Sequence, residues 1–324
     1  MKNVLIVGGA GYVGGAITDL ILESKYNVRI YDALIYEDSF RKPVEFIYGD
    51  VRDIDRLKPH LEWADAVVWL AAIVGDGACQ LNPELTREVN QDSVCWLADN
   101  YNGRIIFMST CSVYGAQNKE LDENSPTNPL SLYAETKLEA EKCLKHKNAI
   151  IFRLGTLFGV GDLYSRIRLD LVVNILTVKA YTEGKISVFG GDQFRPLLHV
   201  KDVARAVVMN LESNNTGVFN LKRQNVRIMD LAYQVRNHFP DIEIIHTDMP
   251  FQDTRNYRVS SDKAKNIFGF ESIYSIDEGI GELKYLVETQ RIKDLSSIRY
   301  SNAAFLKEHT EELVEKKFNK HEVA

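Results

Sequence analysis

The chain has 324 residues, 45% of them hydrophobic and 26% charged, which is typical of a globular protein with one large or two modest domains. Its net charge of -6 argues against nucleic acid as a partner, and no window approaches the roughly 18 apolar residues of a membrane span. Its 4 cysteines form no C-x-x-C pair, so we expect reduced thiols, a cytoplasmic location, and neither a disulfide framework nor a metal site.

The first elements form a nucleotide-binding pattern. A buried strand is predicted at residues 4–7, followed by glycines at positions 8, 11 and 14 and then by a helical pattern. In this order the glycines permit a tight turn, close approach to a pyrophosphate, and close packing of helix on strand. A second strand at residues 28–31 ends in Asp32, whose carboxylate can accept hydrogen bonds from ribose hydroxyls and repel a 2'-phosphate. The sequence therefore predicts a site for NAD.

Strands and helices continue to alternate through the first half of the chain. Further strands are predicted at residues 45–48, 66–72, 104–108 and 150–154. Asp50, after the third strand, is expected either to meet the adenine edge or to cap the next helix. This alternation specifies a Rossmann-like, doubly wound parallel α/β sheet over residues 1–156, to which the chain returns at about 188–222. Residues 157–324 are expected to form mainly a smaller α/β substrate domain with a C-terminal helical extension.

The predicted helix at residues 129–145 carries a candidate catalytic pair. A four-residue step places Tyr133 and Lys137 on one helix face, one turn apart. At about 4 Å and an effective dielectric near 20, their attraction is roughly 4 kcal/mol. That is enough to lower a tyrosine pKa from about 10 toward about 7. Tyr133 is therefore a candidate general base near neutral pH.

These motifs, in this order, resemble the extended short-chain dehydrogenase/reductase family. The resemblance rests on the three glycines, Asp32, Asp50, a strand ending at Ser109 and Thr110, and Tyr133-x-x-x-Lys137; residues 194–204 are similar to the nucleotide-sugar branch of the family. It implies that Thr110 hydrogen-bonds the reacting hydroxyl, Tyr133 is the base, and Lys137 holds the nicotinamide ribose. The expected cofactor contacts are Gly8, Gly11, Tyr12, Val13, Gly14, Asp32, Asp50, Val51, Ala71, Ala72, Asn90, Ser109, Tyr133 and Lys137.

The resemblance implies oxidation at C4 of a nucleotide-diphosphate sugar and leaves the later chemistry open. Enzymes that remove water carry an Asp-Glu pair after the catalytic threonine, whereas this chain has Cys111 and Ser112, so dehydration is not expected. In a 4-epimerase the keto sugar turns over and is reduced again on its other face; in a 4-dehydrogenase it leaves. Similarity to enzymes acting on GDP-linked manno-heptose favours the 4-dehydrogenase, with the 4-epimerase as the alternative. A non-catalytic NAD-binding protein is a third possibility.

The second half of the chain is expected to bind the nucleotide sugar. The expected substrate contacts are Thr110, Cys111, Ser112, Thr156, Arg166, Arg168, Arg195 and Arg255. Arg195 and Arg255 are interpreted as diphosphate ligands, since guanidinium forks suit a diphosphate. Thr156 stands where the family usually has Asn, and a structural role is expected for His199.

Two surfaces are expected to meet other parts of the protein or another subunit. The resemblance implies a homodimer formed by helices at residues 84–100 and 129–145, with Leu97, Leu138 and Leu144 available beyond the sheet-facing residues. The tail from Ser301 onward has the pattern of an amphipathic helix that packs on its own domain or on a second subunit.

Overall fold

The structure is a computed structural model that describes residues 2–22, 24–162, 164, 166–247, 256–292 and 294–315. Its strands are β1 (Asn3–Val7), β2 (Asn27–Asp32), β3 (Glu45–Tyr48), β4 (Ala66–Trp69), β5 (Arg104–Thr110), β6 (Glu120–Leu121), β7 (Ala149–Leu154), β8 (Thr156–Phe158), β9 (Lys185–Phe189), β10 (Phe194–His199), β11 (Gly217–Leu221), β12 (Gln224–Arg227), β13 (Glu243–Thr247) and β14 (Arg258–Val259). Its α-helices are α1 (Tyr12–Leu22), α2 (Ile54–Trp63), α3 (Asp76–Leu81), α4 (Pro83–Arg87), α5 (Ser93–Asn100), α6 (Leu132–Leu144), α7 (Val172–Glu183), α8 (Val200–Asn210), α9 (Ile228–His238), α10 (Asp262–Phe268), α11 (Ile276–Glu288) and α12 (Asn302–Glu315). A π-helical turn (Glu88–Asp92) joins α4 to α5, and 3-10 turns occur at Cys111–Tyr114 and Ile298–Tyr300.

The main sheet has the predicted doubly wound topology. Among the described residues it contains seven parallel strands in the order β11-β7-β5-β4-β1-β2-β3. Both β2 and β4 pair with β1, so the strand order reverses at β1. In sheets of this kind ligands bind beyond the carboxyl ends of the strands at the reversal point.

Alternate residues of β1 enter two apolar cores, one on each face of the sheet. Leu5 and Val7 belong to the core beneath α3 to α6, whereas Val4 and Ile6 belong to the core beneath α1 and α8. All four side chains are fully buried, which explains why the strand is uniformly apolar. Burial of each such side chain contributes roughly 1.5–3 kcal/mol of hydrophobic stabilisation.

A smaller α/β lobe follows the main sheet, as predicted. It contains the three-stranded sheet β12-β10-β8, the pair β13-β9, and helices α7, α9 and α11 around a third apolar core. The chain returns to the main sheet through α8, which packs on α1, and β11, which pairs with β7. The predicted return at about residue 188 is too early, because β9 and β10 pair with strands of the smaller lobe.

The cysteine prediction is wrong for one pair. Cys95 on α5 and Cys143 on α6 form a disulfide, with their Cα atoms 5.2 Å apart, while Cys79 and Cys111 are free and buried. The bonded cysteines are 48 residues apart, so no short spacing motif signals them. They meet because α5 and α6 lie side by side on the same face of the sheet.

The predicted dimer surface also needs correction. Leu97 and Leu144 are 0% and 1% exposed and belong to the core between their helices and the sheet. Leu138 is partly buried against a separate cluster near β6 and β14. Leu97 and Leu144 therefore do not supply free apolar surface for a second subunit, whereas Leu138 keeps part of its side chain exposed. In the part of the chain that the structure describes, no helix is long and apolar enough to cross a membrane.

Candidate active site

A cavity of about 1210 Å³ lies at the carboxyl ends of the main-sheet strands, between the two lobes. It is larger than the roughly 300–1,000 Å³ typical of a site for one small ligand. Its walls include the loops after β1, β2, β3 and β4, the end of β5, helix α6, and segments of the smaller lobe. The cavity therefore has room for a dinucleotide and a second ligand.

The turn after β1 requires glycine for steric reasons. Gly8 has φ +82, and a Cβ there would lie 2.4 Å from the backbone nitrogen of Ala71. A Cβ on Gly14 would lie 2.3 Å from the carbonyl oxygen of Gly9. With Gly11, Tyr12 and Val13, these residues line the cavity. The turn thus brings bare backbone and the start of α1 to the cavity wall, which fits a pyrophosphate.

Asp32 ends β2 on the same wall. Its carboxylate accepts hydrogen bonds from the backbone N–H of Ala10 at 2.9 Å and of Leu34 at 2.7 Å. Burial raises the pKa of Asp32, and these two hydrogen bonds oppose the rise. A positioned carboxylate at this place fits the adenosine ribose of NAD.

Asp50 lines the cavity, but its carboxylate is already bound by Arg52. The Arg52 Nε and Nη2 atoms lie 2.9 and 2.7 Å from the two carboxylate oxygens. Asp50 also accepts the backbone N–H of Arg52 at 2.8 Å and so caps the turn that follows it, whereas α2 itself is capped by Asp53, which accepts a hydrogen bond from the Arg56 N–H. Val51, Ala71 and Ala72 complete this part of the wall.

Thr110, Tyr133 and Lys137 lie together on the cavity wall. Ser131 caps α6 by accepting the N–H of Ala134 at 3.3 Å, and the helix then presents Tyr133 and Lys137 toward the end of β5. Thr110 ends β5, and its Oγ1 accepts the N–H of Ser112 at 3.1 Å. The Lys137 side chain is almost fully buried, with its Nζ 4.7 Å from the centre of the Phe107 ring. The three expected catalytic groups thus face one space.

The prediction that Tyr133 has a lowered pKa is wrong for the protein without a bound ligand. Burial raises the pKa of Tyr133, with Cys79 adding to the rise and Arg168 opposing it. Burial also lowers the pKa of Lys137 to about 8, while Cys79 and Glu141 act in the opposite direction. The cost of removing both groups from water opposes the attraction between them, and this cost is not visible in the spacing of the two residues. Without a bound ligand, burial therefore keeps the Tyr133 phenol protonated near neutral pH.

Behind the catalytic residues lies a polar network that the sequence analysis missed. Glu141 on α6 forms a buried ion pair with Arg153 on β7, with Nη2 2.6 Å from Oε2. Glu141 also accepts the hydroxyl of Ser109 at 2.5 Å. Arg153 donates to the Tyr114 hydroxyl at 2.9 Å, which donates to Asn220 at 2.8 Å. Glu141 follows Tyr133 and Lys137 at another four-residue step, and that spacing was the available signal.

Two expected contacts lie outside the cavity. Asn90, in the π-helical turn, is fully buried, and its side chain bonds the backbone N–H and carbonyl of Ile73 at 2.8 and 2.9 Å. It fixes the loop after β4 and does not line the cavity. Cys111 is also fully buried, and its thiol donates to the carbonyl of Arg153 at 3.2 Å. The residue after Thr110 points into the core, so contact of Cys111 with substrate is not supported.

The other expected substrate contacts that the structure describes also line the cavity. They are Ser112, next to Thr110, and Thr156, Arg166, Arg168 and Arg195. The Arg168 Nε lies 3.0 Å from Asp170 in an ion pair, and the Arg195 side chain is held in part by the carbonyl of Phe194 at 2.9 Å. Arg255 lies outside the described residues. His199 does not line the cavity and is buried in contact with Glu282, Nε2 to Oε2 2.9 Å.

Tyr257 is a cavity residue that the sequence analysis did not assign. It precedes β14, which pairs with β6, and it is 2% exposed. Its hydroxyl lies 3.2 Å from the Ser112 Oγ, with either atom able to donate. The phenol therefore borders the space in front of Thr110 and Tyr133.

Comparison with known proteins agrees with this geometry. The sequence pattern of the NAD dependent epimerase/dehydratase family matches residues 4–221. A protein of Methanocaldococcus jannaschii, provisionally named a UDP-glucose 4-epimerase, is 30% identical over 227 residues, which are 65% of this chain and 74% of that protein. The UDP-glucose 4-epimerase of Corynebacterium glutamicum is 27% identical over 298 residues, covering 83% of this chain and 90% of the relative.

A solved structure shows the same fold. The UDP-glucose 4-epimerase of Thermotoga maritima with UDP-glucose superposes with a TM-score of 0.78 at 23% identity, covering 89% of this chain and 99% of that chain. The family match spans the glycine turn, Asp32, Thr110, Tyr133 and Lys137. The chain therefore belongs to the NAD dependent epimerase/dehydratase family, and its cofactor is NAD.

Proposed function

We propose that the protein is a nucleotide-diphosphate-sugar 4-epimerase, with a UDP-hexose as its substrate. The observation that carries this proposal is the convergence of Thr110, Tyr133 and Lys137 on one cavity with room for a second ligand beside the cofactor. The relatives named UDP-glucose 4-epimerases support the choice of reaction and nucleotide. They favour the epimerase over the 4-dehydrogenase acting on GDP-heptose that the sequence analysis preferred.

The chain supplies a proton acceptor and a place for the sugar hydroxyl. Tyr133 accepts the C4 hydroxyl proton as the carbonyl forms, and returns it when the carbonyl is reduced. Thr110 positions that hydroxyl, and Lys137 keeps a cation near the phenol. When bound, NAD supplies the hydride acceptor and donor together with the positive charge of its oxidised ring. Epimerisation follows if the keto sugar turns over before reduction.

The residues after Thr110 argue against loss of water. A 4,6-dehydration needs a base for the C5 proton and an acid for the leaving hydroxyl. Burial raises the pKa of the Cys111 thiol, which points away from the cavity, so Cys111 supplies neither function. Ser112 faces Tyr257, and two hydroxyls are suited to hydrogen-bond a sugar substituent rather than to exchange protons with carbon.

Arg195 is proposed to bind the diphosphate of the substrate. It is a buried guanidinium on the cavity wall, on β10 of the smaller lobe. Arg168 lies on the same wall and forms an ion pair with Asp170. A homodimer is proposed from the family resemblance, through surfaces other than Leu97 and Leu144.

Product analysis with the purified protein tests the reaction. UDP-glucose, UDP-N-acetylglucosamine and a GDP-linked manno-sugar are each incubated with the enzyme, and products are followed by NMR, mass spectrometry and absorbance of reduced nicotinamide. A C4 epimer of unchanged mass without net reduction of added NAD is expected for a UDP sugar. A product two hydrogens lighter, with stoichiometric reduction, would replace the epimerase by the dehydrogenase. A product lacking water would overturn the argument from Cys111 and Ser112.

A further inference from the structure

The C-terminal segment, residues 298–315, forms part of the wall of the cofactor cavity. Ser301, Asn302 and Ala303 line the cavity directly. Helix α12 continues from them over α3, with Leu306 and Leu313 buried in the same core as the helices of the main sheet. The segment is therefore a folded part of the cavity.

On one side the segment is attached to the loops that surround the cofactor turn. The Phe305 ring lies 5.3 Å from the ring of Tyr36, in the loop after β2 that follows Asp32. The Arg299 Nη2 lies 3.5 Å from the Glu37 carboxylate in the same loop. Because Asp32 marks the adenosine ribose, these contacts lie at the adenosine half of the cleft.

Two further contacts extend along this side. The Asn302 Nδ2 donates to the carbonyl of Val74, in the loop between β4 and α3, at 2.9 Å. The Arg52 Nη2 donates to the carbonyl of Leu313 at 2.8 Å. The loops after β2, β3 and β4 are thus all tied to one segment.

On the other side the segment is attached to residues 166–170, which line the opposite wall. The Arg166 Nη1 donates to the carbonyl of Arg299 at 2.6 Å, and its Nη2 donates to the side-chain oxygen of Asn302. The Asn302 N–H donates to the Asp170 carboxylate at 2.9 Å, and the Leu169 N–H donates to the carbonyl of Tyr300 at 2.9 Å. Asn302 is 3% exposed and joins both walls through its backbone N–H and both side-chain atoms.

Arg166 was expected to bind substrate, but its hydrogen bonds hold this segment instead. Its guanidinium lies 4.0 Å from the centre of the Tyr36 ring, so it also contacts the adenosine side. Arg166 is 7% exposed, and this burial lowers its pKa to about 10. A buried cation fixed by a carbonyl, an amide and an aromatic ring is costly to pull apart.

We propose that residues 298–315 are a strap that retains NAD in its cleft from one turnover to the next, with Asn302 as its central tie. Dissociation of the cofactor requires the walls of the adenosine half to separate, and the strap links those walls. This inference rests on the proposed function for its purpose, because an epimerase reduces the keto sugar with the same cofactor that oxidised it. A dehydrogenase would have to exchange the cofactor at every turnover.

The test measures cofactor release and not activity. Full-length protein is loaded with NAD, freed of excess by gel filtration, diluted, and sampled over time for retained NAD by chromatography. The variants are Asn302→Ala and a chain ending at Tyr300. The matched control is Glu308→Ala, at an exposed position of α12. We expect release from Asn302→Ala to be at least about tenfold faster than from the wild type, equivalent to about 1.4 kcal/mol, and release from the control to be unchanged.

Each outcome decides for or against the strap. Faster release from Asn302→Ala, or from the truncated chain alone when circular dichroism shows it folded, supports the strap. Unchanged release from both variants overturns it, as does equal acceleration by Glu308→Ala. If the truncated chain does not fold, Asn302→Ala decides by itself. Product analysis with UDP sugars is a separate measurement. If the epimerase proposal fails but the strap exists, NAD release still accelerates in Asn302→Ala. If the strap does not exist, an active epimerase releases NAD at the same rate with and without Asn302.

Discussion

Arg153 on β7 binds Glu141 on α6 through two nitrogens, Nη2 at 2.6 Å from Oε2 and Nε at 3.0 Å from Oε1, with both side chains nearly excluded from water. This ion pair holds α6, the helix that carries Tyr133 and Lys137, against β7. Burial of a charged pair costs desolvation energy, so its value here lies in placing α6.

Removing one member of this pair is expected to destabilise the fold strongly. Glu141→Gln leaves the Arg153 cation buried without its carboxylate, and we expect the free energy of unfolding to fall by about 3–5 kcal/mol. Urea denaturation followed by circular dichroism measures this. Glu139→Gln, at the exposed Lys142 pair of the same helix, is the control and should change little. A Glu141→Gln protein as stable as the control would show that the ion pair does not hold α6.

The buried Lys137 predicts a pH dependence of stability. Burial lowers its pKa to about 8 in the folded protein, while the unfolded chain keeps this proton to about pH 10.4. Between these values the unfolded state binds more protons, so the free energy of unfolding should rise with pH, by on the order of 3 kcal/mol in total. Cys79 and Glu141, which favour the charged lysine, limit the effect.

The matching measurement compares unfolding free energies of cofactor-free wild type and Lys137→Met from pH 7 to pH 11. The wild type should gain stability relative to the variant as pH rises. Lys142→Met, which removes an exposed lysine from the same helix, should follow the wild type. Parallel curves for wild type and Lys137→Met would mean that the lysine titrates as it does in water.

Tyr133→Phe tests the assignment of the base. The substitution removes the hydroxyl and keeps the ring, so the fold and NAD content should be retained. The rate of sugar conversion should fall about 10²–10⁴-fold, the usual contribution of a positioned acid or base. Tyr181→Phe, at an exposed phenol of α7, should leave the rate unchanged. Retained NAD with an unaltered rate in Tyr133→Phe would point to a non-catalytic tyrosine or a different base.

The main sheet could be predicted because its signals are local. Each of these signals lies within a few residues of the element it predicts: a uniformly apolar strand, a glycine turn, and a carboxylate after the next strand. β1, α1 and Asp32 occur as expected. The same holds for Thr110 at the end of β5 and for Tyr133 and Lys137 on α6. The positions of these residues could be predicted because the sequence within a few residues of each one determines its place in the strand or helix.

Other features depend on contacts between distant parts of the chain. Asn90 and Cys111 sit beside cavity residues in sequence, but the π-helical turn and the 3-10 turn direct them into the core. Arg166 was expected to face a substrate because nothing near it in sequence shows that Asn302, 136 residues later, binds it. The pKa of Tyr133 was misjudged for the same reason, because burial is a property of the assembled fold.

The disulfide between Cys95 and Cys143 gives the last prediction. It closes a loop with a sequence separation of 48 and joins α5 to the catalytic helix α6. By the loop-entropy relation such a link stabilises the folded chain by up to about 4 kcal/mol. Reduction should therefore lower the melting temperature of the wild type and leave that of Cys95→Ser unchanged.

Thiol alkylation followed by mass spectrometry checks the bond itself. Protein purified and denatured without reductant should react at Cys79 and Cys111, the two free cysteines, and reduction should expose Cys95 and Cys143 as well. Cys95→Ser supplies the control, because it should show Cys143 reactive before reduction. Reaction of all four cysteines in the unreduced wild type would show that α5 and α6 are held together by packing alone, and the thermal effect of reductant should then vanish too.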